Sequence, residues 1–224
     1  METIVNAKMK VDVWSDVMCP FCYIGKRKYE AALAQVDYAD NVEIVWHSFL
    51  LNPNLIYQPD KDLYDYVAEL KGQTREWSMR MHESLVEAAE SVGLEFNLDI
   101  AKVANSFDAH RVIQLAKKHG LGDEIEERFF KAYFTEGALI SDHDTLHQLA
   151  VEIGLDRDEV WKVLNSTIYA DEVKRDIDAA VRIGVRGVPF FLMNGKYAVS
   201  GAQSPEVFLE YLNKSFLEWQ NETG

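Results

Sequence analysis

A chain of 224 residues, 48% of them hydrophobic, has apolar material for one large domain or one domain carrying a sizeable insertion. Its formal net charge of -14 makes a surface that repels nucleic-acid phosphates and anionic lipids, which argues against both as partners. No apolar run reaches membrane-spanning length and residues 1–10 lack a signal-peptide pattern, so the expected location is the cytoplasm, away from the membrane.

Residues 1–7 read as a loose leader. Residues 8–14 end in Val11-Asp12-Val13-Trp14, an alternating β-rich run that predicts the first strand. Tyr29, Ala32, Leu33 and Val36 then recur at helical spacing and predict a helix from Cys22 to about residue 35. Asn41 turns the chain into a second strand over 42–47. Strand, helix, strand in that order predicts a βαβ unit with parallel strands. Residues 49–59, with Asn52-Pro53-Asn54 at their turn, read as a loop.

A helical block follows. Thr74 caps a helix with the stripe Trp77, Met81, Leu85, Ala88 and Val92, stopped by Gly93. Asp99 opens the next, through Val103, Phe107, Ile113 and Ala116 to Gly120. Asp123 opens a third, through Ile125, Phe129, Phe130 and Tyr133 to Gly137. Ser141 or Asp142, and then Asp156, cap two shorter helices. The last helix of the block starts near Ala170, carries Val173, Ile177 and Val181, and stops at Gly184; its residues Asp171, Glu172 and Lys174 to Asp178 read as a solvated face.

Residues 188–193 and 196–200 read as strands joined by Asn194-Gly195, a strong two-residue hairpin signal. Ser204-Pro205-Glu206 starts a terminal helix that faces Phe208, Tyr211, Leu212 and Phe216 inward. No strand pattern falls between His47 and Val188. The expected architecture is an α/β sheet domain, β-α-β then β-β-α, formed by residues 8–56 and 166–219 and interrupted by an all-helical insertion over 57–165.

The chemistry centres on Cys19-Pro20-Phe21-Cys22, which holds the only two cysteines. Pro20 suits a first helical turn, where its missing N–H costs nothing. Cys19 is therefore expected at the positive end of the helix macrodipole and Cys22 one turn deeper. The pair reads as a redox dithiol, with Cys19 as exposed nucleophile and Cys22 as resolving thiol. It also reads as half of a zinc site that two histidines would complete, with His110 and the pair His143 and His147 as the candidates, or as two buried small hydrophobes. Its place between a strand and a helix favours the redox reading.

Gly187-Val188-Pro189-Phe190 is a strand start whose X-Pro bond has access to the cis form. The polar run from Asn105 to Arg111 either caps a helix or lines the cleft above Cys19. Within it, His110 is a hydrogen-bonded core residue or a proton shuttle. Trp14, Phe21, Trp46 and Phe134 are core residues or the walls of an apolar cleft for unfolded chains or an aromatic ligand. Ser200-Gly201-Ala202 is a simple turn, or a seat for a glutathione carboxylate.

The cysteine motif, the Val-Pro motif and the element order resemble the thioredoxin superfamily, and the helical insertion resembles its DsbA-like branch. The runs Ser15 to Lys26, Asn105 to Arg111, Ala132 to Gly137, Val188 to Phe191 and Val199 to Gln203 are similar to FrnE-like cytoplasmic DsbA oxidoreductases. That likeness runs over residues 11–217. It implies a thioredoxin-like fold with a DsbA-like helical insertion, and a dithiol–disulfide oxidoreductase or isomerase. Cys19 carries over as nucleophile, Cys22 as resolving cysteine and Pro189 as the cis proline beside the reactive sulfur. Val188 would offer its backbone to a substrate strand. Candidate substrate-binding residues are then Val188, Phe21, Trp14, Asn105, His110 and Phe134. The implied partners are protein or small-molecule thiols and disulfides, with glutathione or a thioredoxin system resetting the protein. No metal or organic cofactor is expected.

The motif departs from its relatives at Phe21, where this branch usually has Trp and DsbA has His. Without a cation there, Cys19 relies on the helix terminus, and a milder oxidant than DsbA is expected. The branch is also similar to 2-hydroxychromene-2-carboxylate isomerases and kappa-class glutathione transferases, which share the insertion. Those place Ser at the nucleophile and lack the second cysteine, so the pair here argues for redox chemistry. A glutathione-dependent isomerase or transferase, and a non-catalytic redox sensor, are the alternative readings.

Overall fold

A computed structural model describes residues 7–223, so the leader read over residues 1–7 lies outside the described part except for Ala7. Strands β1 (Met9–Ser15), β2 (Val42–Ser48), β3 (Phe190–Met193) and β4 (Tyr197–Ser200) form one sheet of order β2-β1-β3-β4. β1 and β2 are parallel, with Val11 opposite Ile44, and helix α1 (Pro20–Leu33) makes the crossover that parallel pairing requires. β3 runs antiparallel to both β1 and β4. Asn194 and Gly195 both take positive φ, 50° and 65°, the conformation that a two-residue hairpin needs to match strand twist.

Alternation along β1 divides its side chains between two layers. Met9, Val11 and Val13 meet Tyr29 and Ala32 of α1 and Phe208, Leu212 and Phe216 of the terminal helix α9 (Pro205–Thr223). Trp14 points to the opposite face, against Ala180 of α8 (Ala170–Arg182) and Phe190. Between β2 and α8 the described residues hold six α-helices and no strand: α2 (Leu63–Lys71), α3 (Arg75–Glu90), α4 (Phe107–Lys118), α5 (Gly122–Phe134), α6 (His143–Glu152) and α7 (Arg157–Leu164). Their apolar core, around Ile113, Phe129, Phe130 and Leu146, also takes in Cys19, Cys22 and Tyr23. The cysteine pair therefore sits on the seam between the sheet layer and the insertion.

Several elements depart from expectation, each for a tertiary reason. Helix α2 lies where no element was assigned; Asp62 caps it by accepting from Asp65 N at 2.9 Å, but it buries only Ala68, which leaves little apolar pattern to read. The helix expected from Asp99 is a single 3-10 turn, Leu98–Ile100, and α4 begins only at Phe107. Between them Ala101, Val103 and Ala104 are buried in irregular chain; Asn105 Oδ1 accepts from Phe107 N–H at 2.8 Å at the start of α4, while its amide and the Ser106 hydroxyl reach other segments. Asp123 does not cap α5; its carboxylate accepts from Trp46 Nε1 at 3.0 Å and pairs with Lys26 at 3.1 Å. On α8, Val181 is 69% exposed and Asp176 faces inward instead of forming part of a solvated face. Val188 and Pro189 precede β3 rather than belonging to it, and Tyr211 is only half-buried beside Phe208 and Leu212.

Candidate active site

Helix α1 has Cys19 as its N-cap, in extended backbone, with Pro20 as the first helical residue. The turn is closed by Cys19 N–H donating to Asp16 O at 2.8 Å and Cys22 N–H to Cys19 O at 3.0 Å. This places Cys19 at the end of the helix where unpaired N–H groups favour negative charge. Both cysteines are unbridged. Cys19 is 4% exposed and Cys22 is fully buried. Burial is the main influence on Cys22; with the neighbouring Cys19 it pushes that thiol well above its ordinary range.

The Val188–Pro189 peptide bond is cis, and Cys19 Sγ donates to Val188 O at 3.4 Å. The same loop is fixed from behind. Gly201 N–H donates to Pro189 O at 2.8 Å, and Lys28 Nζ donates to Ala202 O at 3.1 Å. Gly25 allows the close approach: a Cβ on it would lie 3.0 Å from Pro189 Cγ, so the proline loop would have to give by a few tenths of an ångström to accept one. The Ser200-Gly201-Ala202 turn thus braces the site.

A cavity of about 690 Å³ opens over Cys19. Met18, Phe21 and Val188 line it on the sheet side, and Phe134, Tyr133 and Leu85 on the insertion side. Of the aromatic candidates, Phe21 and Phe134 are in the wall, Phe21 51% exposed at the rim and Phe134 buried. Trp14 and Trp46 are not. Trp14 stacks on His47 at 4.6 Å and donates to Asp176 O, because the alternation of β1 turns it to the α8 face. Trp46 is buried and bonded to Asp123. Beneath Trp14, burial alone would lower His47, but its bonds to Asp12 and Asp176 outweigh that and raise it.

The polar run that leads into α4 is also turned away from the cavity. Asn105 donates to Pro53 O at 3.0 Å and Leu55 O at 3.3 Å, tying down the loop that precedes α2. Ser106 donates to Asp16 Oδ1 at 2.7 Å, and Asp16 Oδ2 accepts from Leu51 N at 2.7 Å, so Asp16 links the cysteine turn to the loop after β2 and to the insertion. His110 is fully buried with Nε2 3.6 Å from Asp16 Oδ1 and no hydrogen-bond partner on either nitrogen among the described residues. Asp16 therefore lies between His110 and the cysteine turn. His143 pairs with Asp108 at 2.8 Å and His147 stacks on Trp161, and no three side chains gather into a metal-holding cluster among the described residues.

Arg111, 4% exposed, is a structural clamp. It donates to Ile168 O at 2.9 Å, Ser166 O at 2.5 Å and Val163 O, and to Asp108 at 2.7 Å, fixing the link from α7 to α8. Truncation strands those carbonyls, so Arg111→Ala is expected to lose about 3 kcal/mol in denaturant unfolding. Arg111→Lys should recover little, because an ammonium cannot span the same fork. Unchanged unfolding midpoints would remove the clamp from the account.

Several cavity residues escaped the sequence reading, above all His82, Tyr66 and Leu70. The buried stripe of α3 is Ser78, His82, Leu85 and Ala89, rotated from the one expected. The polar residues Ser78 and His82, four apart and in phase with Leu85, were the available signal.

Residues 10–213 match the family described as DSBA-like thioredoxin domain. The chain is 31% identical over 200 residues to the uncharacterized protein YwbO of Bacillus subtilis (strain 168), covering 88% of this chain and 92% of that one. A crystal structure of a probable DsbA oxidoreductase from Streptomyces coelicolor superposes with a TM-score of 0.87 at 36% identity, over 94% of this chain and 91% of the other. The cytosolic disulfide reductase DsbM from Pseudomonas aeruginosa has the same fold, with a TM-score of 0.61 at 19% identity, over 96% and 100% of the two chains. With a match that runs from the first strand into the last helix, this chain belongs to the DsbA-like thioredoxin family.

Proposed function

We propose that the protein is a cytoplasmic, FrnE-like dithiol–disulfide oxidoreductase or isomerase acting through Cys19 and Cys22. The observation that carries this reading is the asymmetry of the pair. Cys19 caps α1 at the cavity floor, whereas Cys22 is enclosed and kept protonated by burial. In the reducing direction the Cys19 thiolate attacks a substrate disulfide, forming a mixed disulfide and releasing one substrate thiolate. Cys22 then gives up its proton and attacks Cys19 Sγ, which forms the Cys19–Cys22 disulfide and releases the second substrate thiol. Two electrons pass to the substrate, and the reverse sequence oxidises a dithiol. Pro189 and Val188 hold the loop against which the reacting sulfur sits, and Phe21 and Phe134 supply apolar wall.

Residues 8–56 and 166–219 would carry the thiols, and the insertion over 57–165 would shape what reaches them. The substrates are protein or small-molecule disulfides, and glutathione or a thioredoxin system resets the dithiol without a metal or organic cofactor. The neighbouring DsbM is described as a cytosolic disulfide reductase and has also been solved with GSH, which is compatible with such a cycle. Insulin reduction and dithiothreitol oxidation test the reading. Wild type is expected to turn over in at least one of them, and Cys19→Ser in neither. An inactive wild type would favour a redox sensor instead.

A further inference from the structure

His82 gives the cavity a feature that the thiol chemistry does not use. It sits on α3, across the seam from the cysteine turn, and is 4% exposed while lining the same cavity as Cys19. Its Nδ1 lies 2.7 Å from Ser78 O. A carbonyl only accepts, so Nδ1 carries the hydrogen and the neutral ring has its lone pair on Nε2. Burial lowers the His82 pKa below its ordinary value, which keeps the ring neutral at physiological pH. Nε2 has no hydrogen-bond partner among the described residues. The edge of the ring is held by Tyr64, 5.1 Å away in a T-shaped contact, so its orientation is set.

A bare acceptor in a mostly apolar wall, whose other polar side chains include Asn52, Tyr66 and Lys71, selects for a donor. Met81, Leu85, Phe134 and Tyr133 line the same cavity, and the only cationic side chain among the lining residues is Lys71. Glutathione, with two carboxylates and an ammonium group, matches such a lining poorly. The volume, about 690 Å³, is that of a site for a compact small molecule.

We propose that the cavity binds a neutral, largely aromatic small molecule that donates a hydrogen bond, such as a phenolic hydroxyl, to His82 Nε2. The inference rests on the oxidoreductase reading only for what the bound molecule then meets, the sulfur of Cys19. It names the substrate class as small hydroxyaryl thiols or disulfides, in preference to peptides and glutathione.

The test uses probes without an exchangeable bond, so it is independent of turnover. Binding of a para-hydroxylated diphenyl sulfide, of unsubstituted diphenyl sulfide, of S-methylglutathione and of a short tyrosine-containing peptide is measured by calorimetry on the full chain. The hydroxylated sulfide is expected to bind about tenfold more tightly than the unsubstituted one, the worth of one buried hydrogen bond. His82→Asn keeps a donor for Ser78 O but is too short to place an acceptor at the Nε2 position, and should erase that preference. His82→Gln, which offers an acceptor near the Nε2 position, should restore much of it. On wild type, the His82 ring-nitrogen resonances should shift with the hydroxylated probe and not with the unsubstituted one, which tests the contact even if a variant folds poorly. Tighter binding of S-methylglutathione or of the peptide would overturn the proposal. So would a hydroxyl preference that survives in His82→Asn, or ring resonances indifferent to the probe. A protein that shows these preferences but turns over neither insulin, dithiothreitol nor bis(4-hydroxyphenyl) disulfide would overturn the oxidoreductase reading alone.

Discussion

Replacing Cys22 with serine is expected to stop turnover and leave the protein covalently attached to its substrate through Cys19. Attack by Cys19 needs only the sulfur at the helix end, which the substitution leaves in place. Release needs a second sulfur held against the first, and Cys22, one turn deeper, is the only other cysteine. A free thiol from solution replaces that intramolecular step at a large entropic disadvantage, so turnover should fall about a hundredfold or more. Intact mass should show one substrate half bound per chain, removable by dithiothreitol. The burial that pushes the Cys22 thiol up also gives the order of events, because the enclosed thiol stays protonated while Cys19 reacts. Near-normal turnover by Cys22→Ser, with no trapped adduct, would instead point to a one-cysteine, glutathione-assisted reaction.

A second large effect is expected away from the thiols, at Glu126 on α5. Its side chain is buried, both carboxylate oxygens lack hydrogen-bond partners among the described residues, and burial raises it from its ordinary 4.5 to about 7. The nearby His110 offsets the shift only in part, and Asp123 and Asp16 add to it. Between pH 4.5 and 7 the folded chain therefore holds a proton that the unfolded chain has released. The unfolded state binds fewer protons in this window, so stability falls as pH rises through it, and the loss is complete above the folded value. The shift corresponds to about 3 kcal/mol. Glu126→Gln removes the titration while keeping the shape. It should be about 3 kcal/mol more stable than wild type on the alkaline side of the window and nearly equal to it on the acid side. Denaturant midpoints for the two proteins across that range check this, and parallel pH curves would exclude Glu126 as the source.

What the sequence determined by itself was whatever depends on neighbours along the chain. The alternation in β1, the helical spacing after Cys22, the Asn194-Gly195 turn and Pro20 at the first helical position are local signals, and each marks an element present in the structure. The dithiol was legible for the same reason: Cys19 and Cys22 share one helical turn, so their spacing alone sets their relation to the helix end.

The tertiary structure decided which side chains meet across the chain. Asn105 looks like a helix cap in sequence and its Oδ1 does accept from Phe107 N–H at 2.8 Å at the start of α4, but only the fold decides that its amide also holds Pro53 and Leu55 and that Ser106 is held by Asp16. Trp14 looks like a cleft residue beside the cysteines, but the pleat of β1 turns it to α8 and His47. His82 falls outside the stripe Trp77, Met81, Leu85, Ala88 and Val92, and becomes part of the cavity only because α3 packs with Ser78, Leu85 and Ala89 inward. Helical periodicity defines a face to within about one residue, a rotation of about 100°. Which of two adjacent faces is buried depends on the partner helix, and that contact has no signature within a single segment.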